Sequence, residues 1–189
     1  FSHHGTPLWS VHHARSPRLV CDSRIDQTMK SHDFESLYRR ASAYCARRET
    51  CRGDLEKKFR AAEIEPDLID RVLDRLEQEK FIDEQRYAHA FVHDKAAFAR
   101  WGRLKIRNAL RLKGIDKHLI DIALEEEIDE KTYRQTLREL LSAKLRSLKF
   151  DPSDRRASYL AAQKLARFAA SRGFEAEAVF REIEHLNRL

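Results

Sequence analysis

The side chains able to do chemistry in this chain are plentiful as cations and sparse as anything else. His89 and His93 stand four apart, the spacing at which two imidazoles on one helix face clamp a metal ion. No third ligand joins them in a recognisable pattern, so packing histidines are the expectation. His3, His4, His12 and His13 lie in a stretch without helical or strand period and fix no coordination geometry. Cys21, Cys45 and Cys51 are an odd number without CxxC spacing, which implies neither a disulfide framework nor a zinc knuckle and suits a reducing compartment. Cys45 and Cys51 read as packing groups. There is no phosphate-binding glycine loop, no GxSxG elbow and no HExxH pair. The chain is expected to bind rather than to catalyse, with no catalytic residue, no metal and no cofactor.

The cations are a different matter. The formal charge of +6 and the isoelectric point near 9.3 are modest for a polyanion binder, but the distribution is not even. From Arg39 to Arg60 eight basic residues face three acidic ones, from Arg100 to Lys117 seven face one, and from Lys131 to Arg172 eleven face three. The stretches that follow reverse the sign, with six acidic residues against two basic over Glu65 to Glu79 and seven against one over Asp116 to Glu130. Averaging hides two opposed surfaces. Any one such run is ordinarily a solvated face laced by i,i+4 ion pairs. Repetition of the same alternation makes a continuous basic strip the sharper reading.

The alternation follows a structural period. Placing Leu55 to Leu76 over Ile106 to Glu127 and over Leu165 to Leu186 needs no gap, and five apolar positions coincide: Leu55, Ile106 and Leu165; Phe59, Leu110 and Ala169; Ile64, Ile115 and Phe174; Ile69, Ile120 and Val179; Leu73, Leu124 and Ile183. Their spacing breaks helical phase once, between the second and third positions, which predicts two helices meeting at a fixed joint. Gly114 and Gly173 suit a left-handed helix end there, while the first copy has Glu63. Asp116 and Glu175 stand where the next helix is capped, Pro66 suits a first turn, and Ile115 with Ile120 forms a hydrophobic staple. A further amphipathic stretch precedes each pair, over 34–47, 85–100 and 133–149, with Tyr87, Phe91 and Phe98 at helical spacing in the second. The predicted fold is all-α, three tandem three-helix repeats forming an extended, modular array. The predicted boundaries are 29–83, 84–129 and 130–189. Residues 1–28 lack periodicity before Met29 and read as a disordered leader or an appended tail foreign to the fold. No run of about 18 to 20 apolar residues occurs, so no membrane contact is expected.

The segments Arg47-Arg48-Glu49-Thr50-Cys51-Arg52-Gly53-Asp54-Leu55, Phe81-Ile82-Asp83-Glu84-Gln85-Arg86-Tyr87-Ala88, Gly102-Arg103-Leu104-Lys105-Ile106-Arg107 and Leu112-Lys113-Gly114-Ile115 resemble the RecX family. The resemblance is strongest from Arg47 to Glu125, and only the spacing persists in the third copy. It implies a cytoplasmic bacterial regulator, usually an inhibitor, of the RecA recombinase. Such a protein is a curved body that lies along the RecA–DNA filament and binds single- and double-stranded DNA without sequence preference. One departure stands out. Family members carry Ser and Glu three residues apart as a capping box before the second helix of the first repeat, where this chain has Cys51 and Asp54. A shifted or frayed helix start is expected, with Thr50 as substitute cap.

The residues expected to form the strip are Arg39, Arg40, Arg47, Arg48, Arg52, Lys57 and Lys58 in the first copy; Arg103, Lys105, Arg107, Arg111 and Lys113 in the second; and Lys144, Arg146, Lys164 and Arg167 in the third. Trp101 is a candidate for stacking on a base or a partner side chain, against the plainer role of an anchor between helices. A monomer is expected. The competing readings are a free-standing DNA reader of helix-turn-helix type, with Asn108 as its main base-edge group, and a scaffold for an acidic protein.

Overall fold

A computed structural model describes residues 33–186, so the leader, its histidines and Cys21 lie outside the described residues. Nine helices are described, in three sets of three. The first set is α1 (Phe34–Cys45), α2 (Arg52–Ala61) and α3 (Pro66–Gln78); the second is α4 (Glu84–Ala97), α5 (Arg103–Arg111) and α6 (Lys117–Glu127). The third is α7 (Glu130–Arg146), α8 (Arg155–Arg172) and α9 (Ala176–Leu186). All fifteen residues of the five-position apolar register are buried, which explains why the period shows in the sequence at all. Phe98 departs from its expected place. It falls just beyond the end of α4 and is 59% exposed.

Each copy starts alike. Asp33, Asp83 and Asp129 cap the first helix of their copies by accepting from the backbone N–H three residues on. A cap of this kind stabilises a helix by about 1 kcal/mol. The joints between second and third helices also agree, more closely than the sequence implies. Gly114 and Gly173 sit at φ +85° and +86°, and Glu63 adopts the same left-handed turn at φ +59° without being glycine. Asp116 caps α6 through the N–H of His118, while Glu65 makes no side-chain cap and Pro66 opens α3 in its place.

The second helices are where the copies join. Cys51 is the N-cap residue of α2 and is fully buried, and α2 begins at Arg52, so the start is neither shifted nor transferred to Thr50. Neither α2 nor α5 has a side-chain cap. Both abut the joint of the following copy. A β-carbon added at Gly53 would stand 2.1 Å from the carbonyl oxygen of Lys113, and one at Gly102 would stand 2.1 Å from that of Gly173. For α5 the contact satisfies the backbone directly: Gly102 N–H donates to Arg172 O at 2.8 Å, and Leu104 N–H to Gly173 O at 3.0 Å. The following copy thus supplies acceptors that a helix start ordinarily finds in its own cap. The last copy has no follower among the described residues, and there α8 carries its own cap, Asp154, which accepts from Arg156 N–H. It also starts earlier than the repeat register would place it, at Arg155 instead of Ala162.

The core reflects this joining. Copies two and three share one apolar cluster, which Cys51 of the first copy enters beside Tyr87, and the rest of the first copy has its own cluster around Phe59, Leu73 and Leu76.

The three joints predict an ordered set of stabilities. Gly114→Ala meets open space and only the left-handed φ penalty, a loss of about 1 kcal/mol. Gly173→Ala adds a clash with the Lys105 backbone and should cost more, whereas Glu63→Gly relieves strain and should raise stability. Urea denaturation checks the order, and Gly114→Ala proving the worst of the three would contradict it.

Candidate interaction surface

The cations of the strip divide sharply once their partners are known. Those at the second-helix starts are engaged within the protein. The Arg52 guanidinium reaches Asp74 and Glu77 at 2.9 Å and Asp70 at 3.4 Å, tying α2 to α3. Arg107 does the same between α5 and α6, 2.9 Å from Asp121. Arg103 lies 3.0 Å from Glu130 and 3.7 Å from Glu175, with its guanidinium over the Tyr133 ring. Lys113 crosses from the second copy to Asp54 of the first, and Lys57 crosses the other way, donating to Leu112 O at 3.1 Å. Much of the alternation of sign along the chain is therefore internal: basic second helices paired with acidic third helices and with the next copy.

Two buried tyrosines at equivalent places organise these crossings. Tyr133, fourth in α7, accepts from the N–H of Arg103 at 3.1 Å and donates to Glu175 Oε2 at 2.6 Å. Tyr87, fourth in α4, donates to Asp54 Oδ2 over a longer 3.5 Å. Burial raises the pKa of both phenols, and each remains a neutral donor. Leu37 holds the fourth place of α1, where no preceding copy stands among the described residues. Burial also pushes the Cys45 thiol up to about 11 and raises that of Cys51, so neither forms the nucleophilic thiolate at neutral pH.

Other members of the expected set lie over aromatic rings. Lys105 sits 4.5 Å from the centroid of Trp101, with Lys95 at 5.7 Å. Trp101 itself is half-buried and packs against the core shared by the second and third copies. Its anchoring role is visible, and stacking on a partner would require Lys105 to leave. Arg48 and Lys58 flank Tyr44, and Lys144 lies over Phe168. Arg40 is exposed and engaged within the protein.

Exposed, with no hydrogen bond, ion pair or ring contact of the side chain, are Arg39 midway along α1, Arg47 two residues past its end, Arg111 at the end of α5, and a larger group in the third copy. That group contains the expected Arg146, Lys164 and Arg167, and also Lys149, Arg155 and Arg156, which lie outside the strip expected from the sequence. The signal that could have found them is α8 itself: its sequence contains no Asp or Glu, so its cations have no local partner. His89 and His93 are both turned to Glu127, at 3.0 and 3.4 Å, and no group of three metal-type ligands gathers among the described residues. No described helix is long and apolar enough to cross a membrane.

Comparison with known proteins places this arrangement. Residues 83–124 match the family model described as the second three-helix domain of RecX. Over 147 residues the chain is 33% identical to the regulatory protein RecX of Pseudomonas fluorescens strain Pf-5, covering 77% of this chain and 88% of that protein. The chain belongs to the RecX family. With the RecX of P. fluorescens strain SBW25 it shares 37% identity over 91 residues, which cover 48% of this chain and 58% of that protein's length. A crystal structure of a regulatory protein RecX superposes with a TM-score of 0.70 at 24% identity, over 80% of this chain and 71% of that one, a likeness of fold. The family model falls on the copy whose cations are most engaged, from Asp83 to Leu124 within α6. The matched segment contains Arg103 and Lys113, which tie the second copy of this chain to its neighbours.

The joining tyrosines generate a test. Tyr133→Phe leaves the Arg103 N–H and Glu175 without their partner and should cost about 1–3 kcal/mol. Tyr87→Phe, which forfeits a longer bond, should cost less. Equal losses in thermal denaturation would show that the tyrosine hydroxyls are not what distinguishes the two junctions.

Proposed function

We propose that this chain regulates a RecA recombinase, most often by suppressing it, and that it does so as a monomer lying on the RecA–DNA filament in the cytoplasm. Membership of the RecX family supports the partner. The observation that carries the contact is the third copy, where Arg146, Lys149, Arg155, Arg156, Lys164 and Arg167 are exposed without internal partners. A cation already held by a carboxylate must surrender that pair to take a phosphate, whereas an unpaired one loses only water and counterions. The third copy is thus the principal polyanion contact, Arg39 and Arg47 form a lesser one on the first copy, and the second copy chiefly holds the array together. Contacts of this type read phosphate and not base edges, which fits DNA binding without sequence preference.

The division is tested by two pairs of charge reversals in an assay of RecA's DNA-dependent ATPase with sub-stoichiometric protein. Lys164→Glu with Arg167→Glu should fold normally and lose most of the inhibition. Arg103→Glu with Arg107→Glu should lower the melting temperature, because both arginines are paired with carboxylates. Full inhibition by the first pair would remove α8 from the contact, and absence of any effect of the unaltered protein on RecA would overturn the reading as a whole.

A further inference from the structure

The outer side of α8 carries more than charge. Opposite its buried residues Ala161, Leu165 and Ala169 lie Arg156, Tyr159, Leu160, Gln163, Lys164 and Arg167, a face about 16 Å long at the helical rise. Tyr159 is 64% exposed and Leu160 47% exposed, in the part of α8 that precedes the repeat register. Tyr159 sits one turn beyond Arg155 and Arg156, on the side they share.

Elimination singles out this ring. Tyr87 and Tyr133 are buried. Tyr38 is engaged by Phe34, Phe81 and Arg75, Tyr44 by Arg48 and Lys58, and Trp101 by Lys95 and Lys105. Among the described residues Tyr159 is the one tyrosine or tryptophan that is exposed and makes no ring contact. An aromatic face flanked by cations that lack partners is the pattern by which proteins hold unpaired nucleotides, the ring stacking on a base while the cations track phosphates. A duplex offers its phosphates to the same cations but keeps its base faces stacked on one another.

We infer that the outer face of α8 is a single-strand site, in which Tyr159 stacks on an unpaired base and Arg155, Arg156, Lys164 and Arg167 hold the adjoining phosphates. The inference rests on the polyanion contact proposed above and narrows it to a strand with free bases. It gives Tyr159 the stacking role for which Trp101 is poorly placed.

The test measures binding of the full chain to a fluorescent oligo(dT) and to a duplex of comparable length across a range of salt concentrations. Tyr159→Ala should weaken oligo(dT) binding about tenfold, leave the salt slope unchanged because no charge is lost, and leave duplex binding unaltered. Tyr159→Phe should bind as the unaltered protein does. Lys164→Gln and Arg167→Gln should each lower the salt slope on the single strand by about 0.7. Tyr159 is exposed, so normal helicity is expected of its variants, and circular dichroism checks it. The inference is overturned if Tyr159→Ala binds oligo(dT) undiminished, if it weakens duplex binding equally, or if the unaltered protein does not bind oligo(dT). The RecA ATPase assay stands apart from these outcomes, so regulation without a single-strand site would defeat the inference while leaving the proposed function in place.

Discussion

The start of a second helix closed by the next copy is the constraint on which the rest of the molecule depends. A helix start leaves backbone N–H groups without intrahelical partners, and α5 finds acceptors for them in the Arg172 and Gly173 carbonyls and the Tyr133 hydroxyl of the copy that follows. That arrangement demands close backbone approach, hence Gly102 at this junction and Gly53 at the corresponding one. It also fixes how each copy sits on the next, because both the left-handed joint and the joining tyrosine must reach the same helix end. The terminal copies show the converse: Leu37 in place of a joining tyrosine at one end, and at the other α8 with its own aspartate cap.

The same constraint decides where free charge can be. Cations clustered at the second-helix starts of the first two copies lie against carboxylates of α3, α6 and α7 or against Glu175 just ahead of α9, and they are drawn into pairs. Half-buried charges lose hydration and keep it lost only when paired. In the third copy no follower is described, α8 begins ahead of the register, and its cations meet no carboxylate. A chain with a period in its charge thus has no equal period in its available charge. The middle copy, richest in family motifs, binds its own neighbours, and the surface suited to a phosphate-bearing partner gathers toward the third.

Most of the fold is legible in the sequence, because a gapless apolar register with Gly114 and Gly173 at two of its three phase breaks leaves few alternatives. The exceptions have local causes. Glu63, as a residue type, gives no hint that it takes the left-handed conformation that glycine holds in the other two copies. Cys51 reads from sequence as a damaged cap, whereas its burial beside Tyr87 holds the helix start in register without one. The surface is legible only in sign. Arg103 is separated by 27 residues from Glu130 and by 72 from Glu175, and pairings of that range are made by the packing of copies, not by spacing along one helix. Tyr159 escapes a reading by motif because its exposure depends on α8 starting ahead of the repeat, which no motif announces.

Under the proposed function the available cations, and not the full strip, meet the partner. Covalent labelling of lysines, compared by mass spectrometry between the free protein and the protein on a RecA–DNA filament, tests this most directly. Lys149 and Lys164 should be shielded on the filament, while Lys105 and Lys113 keep their labelling. Shielding concentrated on Lys105 and Lys113, with Lys149 and Lys164 unchanged, would contradict it.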